Sequence, residues 1–242
     1  MHIASSSVCK ISVVNSVAVF NVTNTSLLCH LLRSSKELAV LDRVRRKFEY
    51  LKETDYEHIK SPDVFVKMDK VWEEGGAVGI GRAVTVVDAA AEDCAAWEWA
   101  KMTRQRIKLG LEGGDLERNI VKLNDHTELY HVVIDLGVPG FQPREWLSKT
   151  VWKKQDDESL GVVYEDFEHK DFPEQSGKYV RASSVTFWKF EELPPRGGVP
   201  QTKVSFSQRV DPKGLIPKFL VNSKIAFALM TASDMRKEFD KR

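Results

Sequence analysis

The clearest pattern in the chain lies toward its C-terminal end. Val204, Phe206, Gln208 and Val210 alternate with Lys203, Ser205, Ser207 and Arg209, the period of two expected of a strand with one face turned to a core. Asp211-Pro212-Lys213-Gly214 follows, and then Ile216, Phe219, Leu220, Ser223, Phe227 and Met230 recur at helical spacing. Asp211 suits an N-cap and Pro212 the first helical position, where the missing N–H is harmless. The pattern predicts a strand running directly into a long helix with one apolar face.

Upstream, Leu38, Leu41, Val44, Phe48 and Leu51 fall at three- and four-residue intervals, which predicts an amphipathic helix. Its basic cluster of Arg43, Arg45, Arg46 and Lys47 is either a solvated helix face or a contact for anionic headgroups. Beyond Ser61-Pro62, residues 64–72 and 78–87 read as two strands joined by a turn containing Glu74-Gly75-Gly76. Asp88 introduces a helix over 89–109, with Cys94, Trp97, Met102 and Ile107 among its apolar positions and Gly110 as its stop. Strands dominate from Leu116 to Asp211, with turn signals at Asn124-Asp125, 137–140, 156–158, 173–177 and 194–200. Helix, two strands, helix, a run of strands and a long helix make an α+β pattern with an antiparallel sheet.

Two of those strands show which face should be internal. In 144–153, Trp146, Ser148, Thr150 and Trp152 alternate with Leu147, Lys149, Val151 and Lys153. In 178–190, Val180, Ala182, Ser184, Thr186, Trp188 and Phe190 form the uncharged set, opposite Arg181 and Lys189. Both inner faces mix aromatic rings with small hydroxyls. That suits a pocket with a few polar anchors, or else a sheet whose hydroxyls bond locally.

Size and charge narrow the classes. The chain has 242 residues and is 42% hydrophobic, enough for a substantial core. Thirty-six basic residues nearly balance thirty-five acidic ones, leaving a net charge of +1 and no general field toward nucleic acid or an anionic bilayer. Cys9, Cys29 and Cys94 are odd in number and scattered, which argues for a reducing, cytoplasmic setting over a disulfide frame or a zinc site. Residues 1–35 form a poorly defined leader, too polar for a spanning helix and lacking the basic start and clean apolar run of a secretory signal.

The wording Arg-Val-Asp-Pro-Lys-Gly-Leu-Ile-Pro-Lys-Phe-Leu-Val-Asn-Ser from Arg209 to Ser223 resembles the closing helix of START domains, the lipid-transfer family related to the steroidogenic acute regulatory protein. Pro143-Arg144-Glu145-Trp146-Leu147 is similar to that family's Arg-Asp-Phe-Val block, with Glu145 and Trp146 as departures. Phe172-Pro173, Gly177 and Val180-Arg181-Ala182 resemble its following loop and strand. The resemblance covers about 61–242 and leaves 36–60 as an N-terminal helix and linker. It implies a helix-grip fold: a curved antiparallel sheet wrapped around a long C-terminal helix, enclosing an internal hydrophobic cavity. In several cholesterol-binding relatives a buried acid would fall near His131 and its basic partner near Thr150, so on that alignment the charged pair is missing here and the cavity less polar.

Catalytic and cofactor chemistry is not legible. Gly79-Ile80-Gly81 lacks a third glycine and leads into a strand, His126 and His131 fall on opposite faces of one strand, and neither Gly-x-Ser-x-Gly nor His-Glu-x-x-His occurs. No cavity-facing acid and base pair emerges. The expectation is a non-enzymatic module without cofactor or metal, holding a lipid or sterol for intracellular transfer or sensing, with transient membrane contact. The alternative is a ligand-regulated or ligand-free protein-interaction module. The cavity is expected to be lined by Trp146, Thr150, Trp152, Thr186, Trp188 and Phe206 of the sheet and by Phe219, Ser223, Phe227 and Met230 of the closing helix.

Overall fold

The parity opposite the uncharged set still carries Val151 and Val185 among its lysines, so the sheet needs cover on both faces, and a computed structural model shows this arrangement. It describes residues 10–11, 35–49, 51–73, 78–175, 177–214 and 216–240. The leader expected over 1–35 thus lies almost entirely outside the described residues, as does the turn at Glu74-Gly75-Gly76. The strands are β1 (Lys10–Ile11), β2 (Glu57–Ile59), β3 (Lys67–Trp72), β4 (Gly79–Val87), β5 (Asp115–Asn124), β6 (Thr127–Ile134), β7 (Arg144–Lys154), β8 (Leu160–Asp166), β9 (Val180–Arg181), β10 (Ser183–Arg196) and β11 (Val199–Asp211). They form one sheet in the order β1-β5-β6-β7-β8-β10-β11-β4-β3-β2, with β9 beside β7. Pairing is antiparallel except between β1 and β5 and between β7 and β9.

Among the described residues, five α-helices clothe the sheet: α1 (Ser35–Glu49), α2 (Ala91–Trp99), α3 (Arg104–Glu112), α4 (Lys218–Leu229) and α5 (Thr231–Glu238). The inner face packs Trp188, Phe190, Val204 and Phe206 against Cys94 and Trp97 of α2, Val221, Ile225 and Leu229 of α4, and Ala232 and Met235 of α5. On the outer face Val151, Val163 and Val185 meet Val40, Leu41 and Val44 of α1. The inward parity expected for β7 and β10 is the one observed. The basic side of α1 is tied down: Arg43 and Lys47 both reach Glu165, and Arg45 pairs with Asp42 and Glu49.

Three element boundaries differ from the sequence expectation. The last helix starts at Lys218, after Pro217, and not at Pro212. Asp211 still belongs to β11, paired with Ser183, and its carboxylate accepts from the Lys213 N–H at 3.0 Å. Lys213 and Gly214 then take φ of 54° and 70°, the left-handed region in which a right-handed helix cannot continue. The helix expected over 89–109 is divided, because Ala100 closes α2 and the Thr103 side chain accepts from Arg106 N to start α3. Gly110 lies within α3, where a Cβ would collide with the Arg118 and Asp115 side chains. Pro194 and Pro195 stay in β10, and the turn is confined to Gly197-Gly198.

The contact that sets the depth of α4 is made by glycine. A Cβ built on Gly81 would lie 2.7 Å from Ile225 Cγ2 and 3.2 Å from Leu229 Cδ1, and one on Gly79 would strike Ile225 Cδ1. The glycines that superficially suggest a nucleotide loop are therefore seats for the closing helix. Gly81→Val should lift α4 and lower stability by about 1–3 kcal/mol through overpacking. Denaturant unfolding measures this, and an unchanged midpoint would count against so close a contact.

Candidate functional site

Strand register arranges the inner face in two bands. Glu128, Thr150, Tyr164, Thr186 and Gln208 stand side by side across β6, β7, β8, β10 and β11. Next to them run Trp152, Val162, Trp188 and Phe206. The Trp188 and Phe206 rings stack with centroids 4.0 Å apart and planes 7° from parallel. Thr150, Thr186, Trp188 and Phe206 are buried. Trp152 is half-buried, its indole N–H donating to Asp125 O at 3.0 Å. Trp146 sits apart, near the start of β7.

The polar band continues onto the helices through residues that sequence reasoning missed. Glu98, at the end of α2, is 3% exposed and accepts from Lys101 Nζ at 2.5 Å, Arg106 Nη2 at 3.0 Å and Tyr164 Oη at 2.6 Å. Burial alone would raise its pKa, but the charges of Lys101 and Arg106 hold the carboxyl below its usual range. Burial in turn lowers the Lys101 ammonium, which lies 4.7 Å from the Tyr164 ring centroid. Arg118 pairs with Asp115 and donates to the carbonyls of Lys101 and Arg106 at 2.9 and 3.1 Å.

Glu128 is the least compensated member. It is 5% exposed, and burial, aided by the charge of Glu98, pushes its pKa up to about 7 against the pull of Lys101. Among the described residues, neither Glu128 Oε1 nor the cross-strand Thr150 Oγ1 has a hydrogen-bond partner. The inner face thus does contain acid and base groups, contrary to the sequence expectation, and it is more polar than the missing charged pair implied. His131 is elsewhere: on the outer face its Nε2 meets Glu145 Oε1 at 2.8 Å, Arg181 binds the other carboxylate oxygen, and Phe172 stacks on its ring.

The closing helix presents a different face from the one expected. Val221, Ile225 and Leu229 point at the sheet, whereas Phe219 and Phe227 are 70% and 50% exposed and Ser223 is also outward. Met230 is half-buried against the core. The correction has a simple cause: Phe219-Leu220-Val221 and Ile225-Ala226-Phe227-Ala228-Leu229 place apolar residues all round the helix, so spacing alone does not choose a face. Under the first turns of α4 lies an apolar cleft of about 40 Å³, lined by Trp146, Leu136, Val210, Pro212, Ile216 and Leu220, with Lys224 at its edge. Small-molecule pockets measure roughly 300–1,000 Å³. A wider, open and charged concavity between Glu168 and Arg181 lies on the outer side.

This architecture, a large unclosed antiparallel sheet gripping a C-terminal helix, recurs in solved structures. The lipid transfer and protein localization domain of human StarD13 matches 87% of this chain and all of its own length, at 17% identity and a TM-score of 0.59. Human StAR-related lipid transfer protein 5 matches 85% of this chain and 98% of its own, at 15% identity and 0.64. A STAR-related lipid transfer protein from Xanthomonas axonopodis matches 76% and 98%, at 16% identity and 0.60. The chain has a START-type helix-grip fold. No family model matches the sequence, and no curated protein matches it. Among the described residues, no helix of this START fold is long and apolar enough to cross a membrane.

Glu128 gives the inner face a pH signature. Its folded pKa, about 7, lies above the ordinary glutamate value of 4.5, so the folded state holds the proton more tightly than the unfolded chain. Its contribution is present in full below the unfolded value and is lost as pH rises through about 4.5 to 7. Glu128→Gln should flatten thermal stability across that window and relatively stabilise the protein at pH 8. Parallel pH profiles for the two proteins would contradict the placement of a lone buried carboxyl here.

Proposed function

We propose that this chain binds a single hydrophobic ligand, a lipid or sterol, between the sheet and α4, for transfer between membranes or for sensing. The observation that carries this reading is the pairing of the two bands: the unpartnered Glu128 and Thr150 oxygens stand beside the Trp152, Trp188 and Phe206 surface. A ligand with one hydroxyl or amide end and an apolar body would complete both. Each methylene withdrawn from water contributes about 0.8 kcal/mol, so the apolar body supplies the affinity and the polar end the orientation. The START fold, shared with structural neighbours that are lipid transfer proteins, supports this assignment, in which Trp146 and the inner rim of α4 form the entrance. A cytoplasmic setting is part of the same reading.

A cleft of 40 Å³ holds no lipid, so loading requires α4 to move. Phe219 and Phe227, 70% and 50% exposed, are then apolar side chains of the lid that can touch a bilayer briefly while the helix opens. With a net charge of +1, recruitment is by apolar contact more than by charge. The proposed module is non-enzymatic: Glu98 is committed to Lys101, Arg106 and Tyr164, which leaves Glu128 without a second reacting group. The tight Trp188–Phe206 stack favours a second reading, a ligand-free interaction module on the same fold.

Native mass spectrometry of the purified protein with its co-purified lipids separates the two. One lipid per chain is expected, and a bare chain that also refuses dehydroergosterol and fluorescent phosphatidylcholine would leave the interaction module. Two substitutions on α4 test its facing. Ile225→Asp places a charge at a 3% exposed position, costing several kcal/mol if it stays ionised, and should unfold or badly loosen the domain. Phe227→Asp should leave melting and ligand binding in solution intact while slowing transfer from vesicles. Equal damage from both would mean that the helix is turned otherwise.

A further inference from the structure

The arginines along the sheet and its helices mostly meet carboxylates. Arg82 binds Glu53 and Asp69, Arg106 binds Glu98, Arg118 binds Asp115, Arg181 binds Glu145, Arg209 binds Glu73 and Arg236 binds Asp63. Arg144 differs. It is 3% exposed, and its hydrogen bonds go to main-chain carbonyls: Nε to Pro212 O at 2.8 Å, Nη2 to Lys213 O at 3.2 Å and Nη1 to Gln142 O at 2.5 Å. Pro212 and Lys213 belong to the link between β11 and α4. The first strand residue of β7 therefore grips the approach to the closing helix.

The two ends of the α4–α5 unit are held by different chemistry. At the far end Asp63, buried, accepts from Ser233 Oγ at 2.7 Å and Arg236 Nε at 3.0 Å. That ion pair is costly to open, because separating it leaves a desolvated charge. At the near end the guanidinium holds neutral carbonyls, and water can replace these one for one as the mouth opens. The gripped segment also carries strain, since Lys213 is a non-glycine residue at φ 54°. Between the two ends the helix is interrupted at Met230, whose N–H turns to the Phe227 carbonyl at 3.1 Å. The cleft beneath α4 lies at the gripped end, where Pro212 and Ile216 line it.

We propose that Arg144 is the latch of the ligand entrance: α4 opens by swinging about Met230 when the guanidinium releases the Pro212 and Lys213 carbonyls, while α5 stays anchored on Asp63. This rests on the reading of α4 as a lid over a hydrophobic ligand. Arg144 acts as a positioning residue, holding the entrance shut without forming part of the binding surface. The carbonyl partners suit a catch that must open repeatedly, and the ion pair suits a pivot.

Hydrogen exchange on the full chain, paired with stopped-flow uptake of dehydroergosterol from phosphatidylcholine vesicles, tests the latch. In Arg144→Gln, amides over 218–225 should exchange about tenfold faster, as expected for loss of hydrogen bonds to a charged group, while 231–238 keep wild-type rates. Sterol uptake should quicken with them, and Arg144→Lys, which retains the charge but not the fork, should fall between. Asp63→Asn should show the opposite pattern, with 231–238 loosened first. Unchanged exchange over 218–225, or equal acceleration in both helices, overturns the latch. If Arg144→Gln does not fold, Arg144→Lys against wild type carries the same comparison. Should the wild type take up no sterol while the exchange pattern appears as described, the latch stands and the hydrophobic-ligand reading fails.

Discussion

The distance between α4 and β4 governs the rest of the molecule. Gly79 and Gly81 remove two side chains where Ile225 and Leu229 descend, so the helix lies almost on the strand backbone. With the helix that low, α5 can continue onto β4 and bury Ala232 and Met235, and the end of α2 can close over the opposite side of the inner face. A larger residue at either glycine would raise the helix and separate these layers. The same closeness leaves an apolar cleft of about 40 Å³ beneath the first turns of α4.

The buried charges work under a second constraint. Removing Glu98, Lys101 and Arg106 from water costs several kcal/mol per ion, and mutual attraction offsets this only with good geometry and full hydrogen bonding. Glu98 satisfies those terms, with three donors on its two oxygens and the Tyr164 hydroxyl among them. Glu128 does not, and it responds by rising toward neutrality. A fixed, satisfied group thus stands beside an unsatisfied one: the first positions Tyr164 and the α2–α3 junction, and the second leaves an acceptor and a hydroxyl unmet.

How much was legible in the sequence depended on how local the cause was. The parity of β7 and β10 could be read because Lys149, Lys153 and Lys189 all fall on one parity and mark the outer side, and that information lies within each strand. The start of α4 could not, since Asp211-Pro212 is equally good chemistry for a helix cap and for the turn that Lys213 and Gly214 in fact make. The facing of α4 was hidden by its apolar circumference. The Glu98–Tyr164 bond joins positions 66 apart, and no local rule announces it. A partial signal existed: Glu98 stands between Trp97 and Trp99, and Glu128 lies in a strand apolar on both parities, so each charge was already marked as buried and in need of partners.

These two constraints bear on whether the interior is a site or only a core. A packed core completes itself: its rings fill space and its polar atoms find partners. The Trp188–Phe206 stack meets the first condition, but Glu128 Oε1 and Thr150 Oγ1 fail the second, and an unmet buried polar group costs about 1–3 kcal/mol. A molecule that only needed to fold would gain by replacing that pair with valine and leucine. Keeping the pair next to aromatic surface, beneath a helix held at one end by carbonyl bonds, makes sense if a ligand supplies the missing partners.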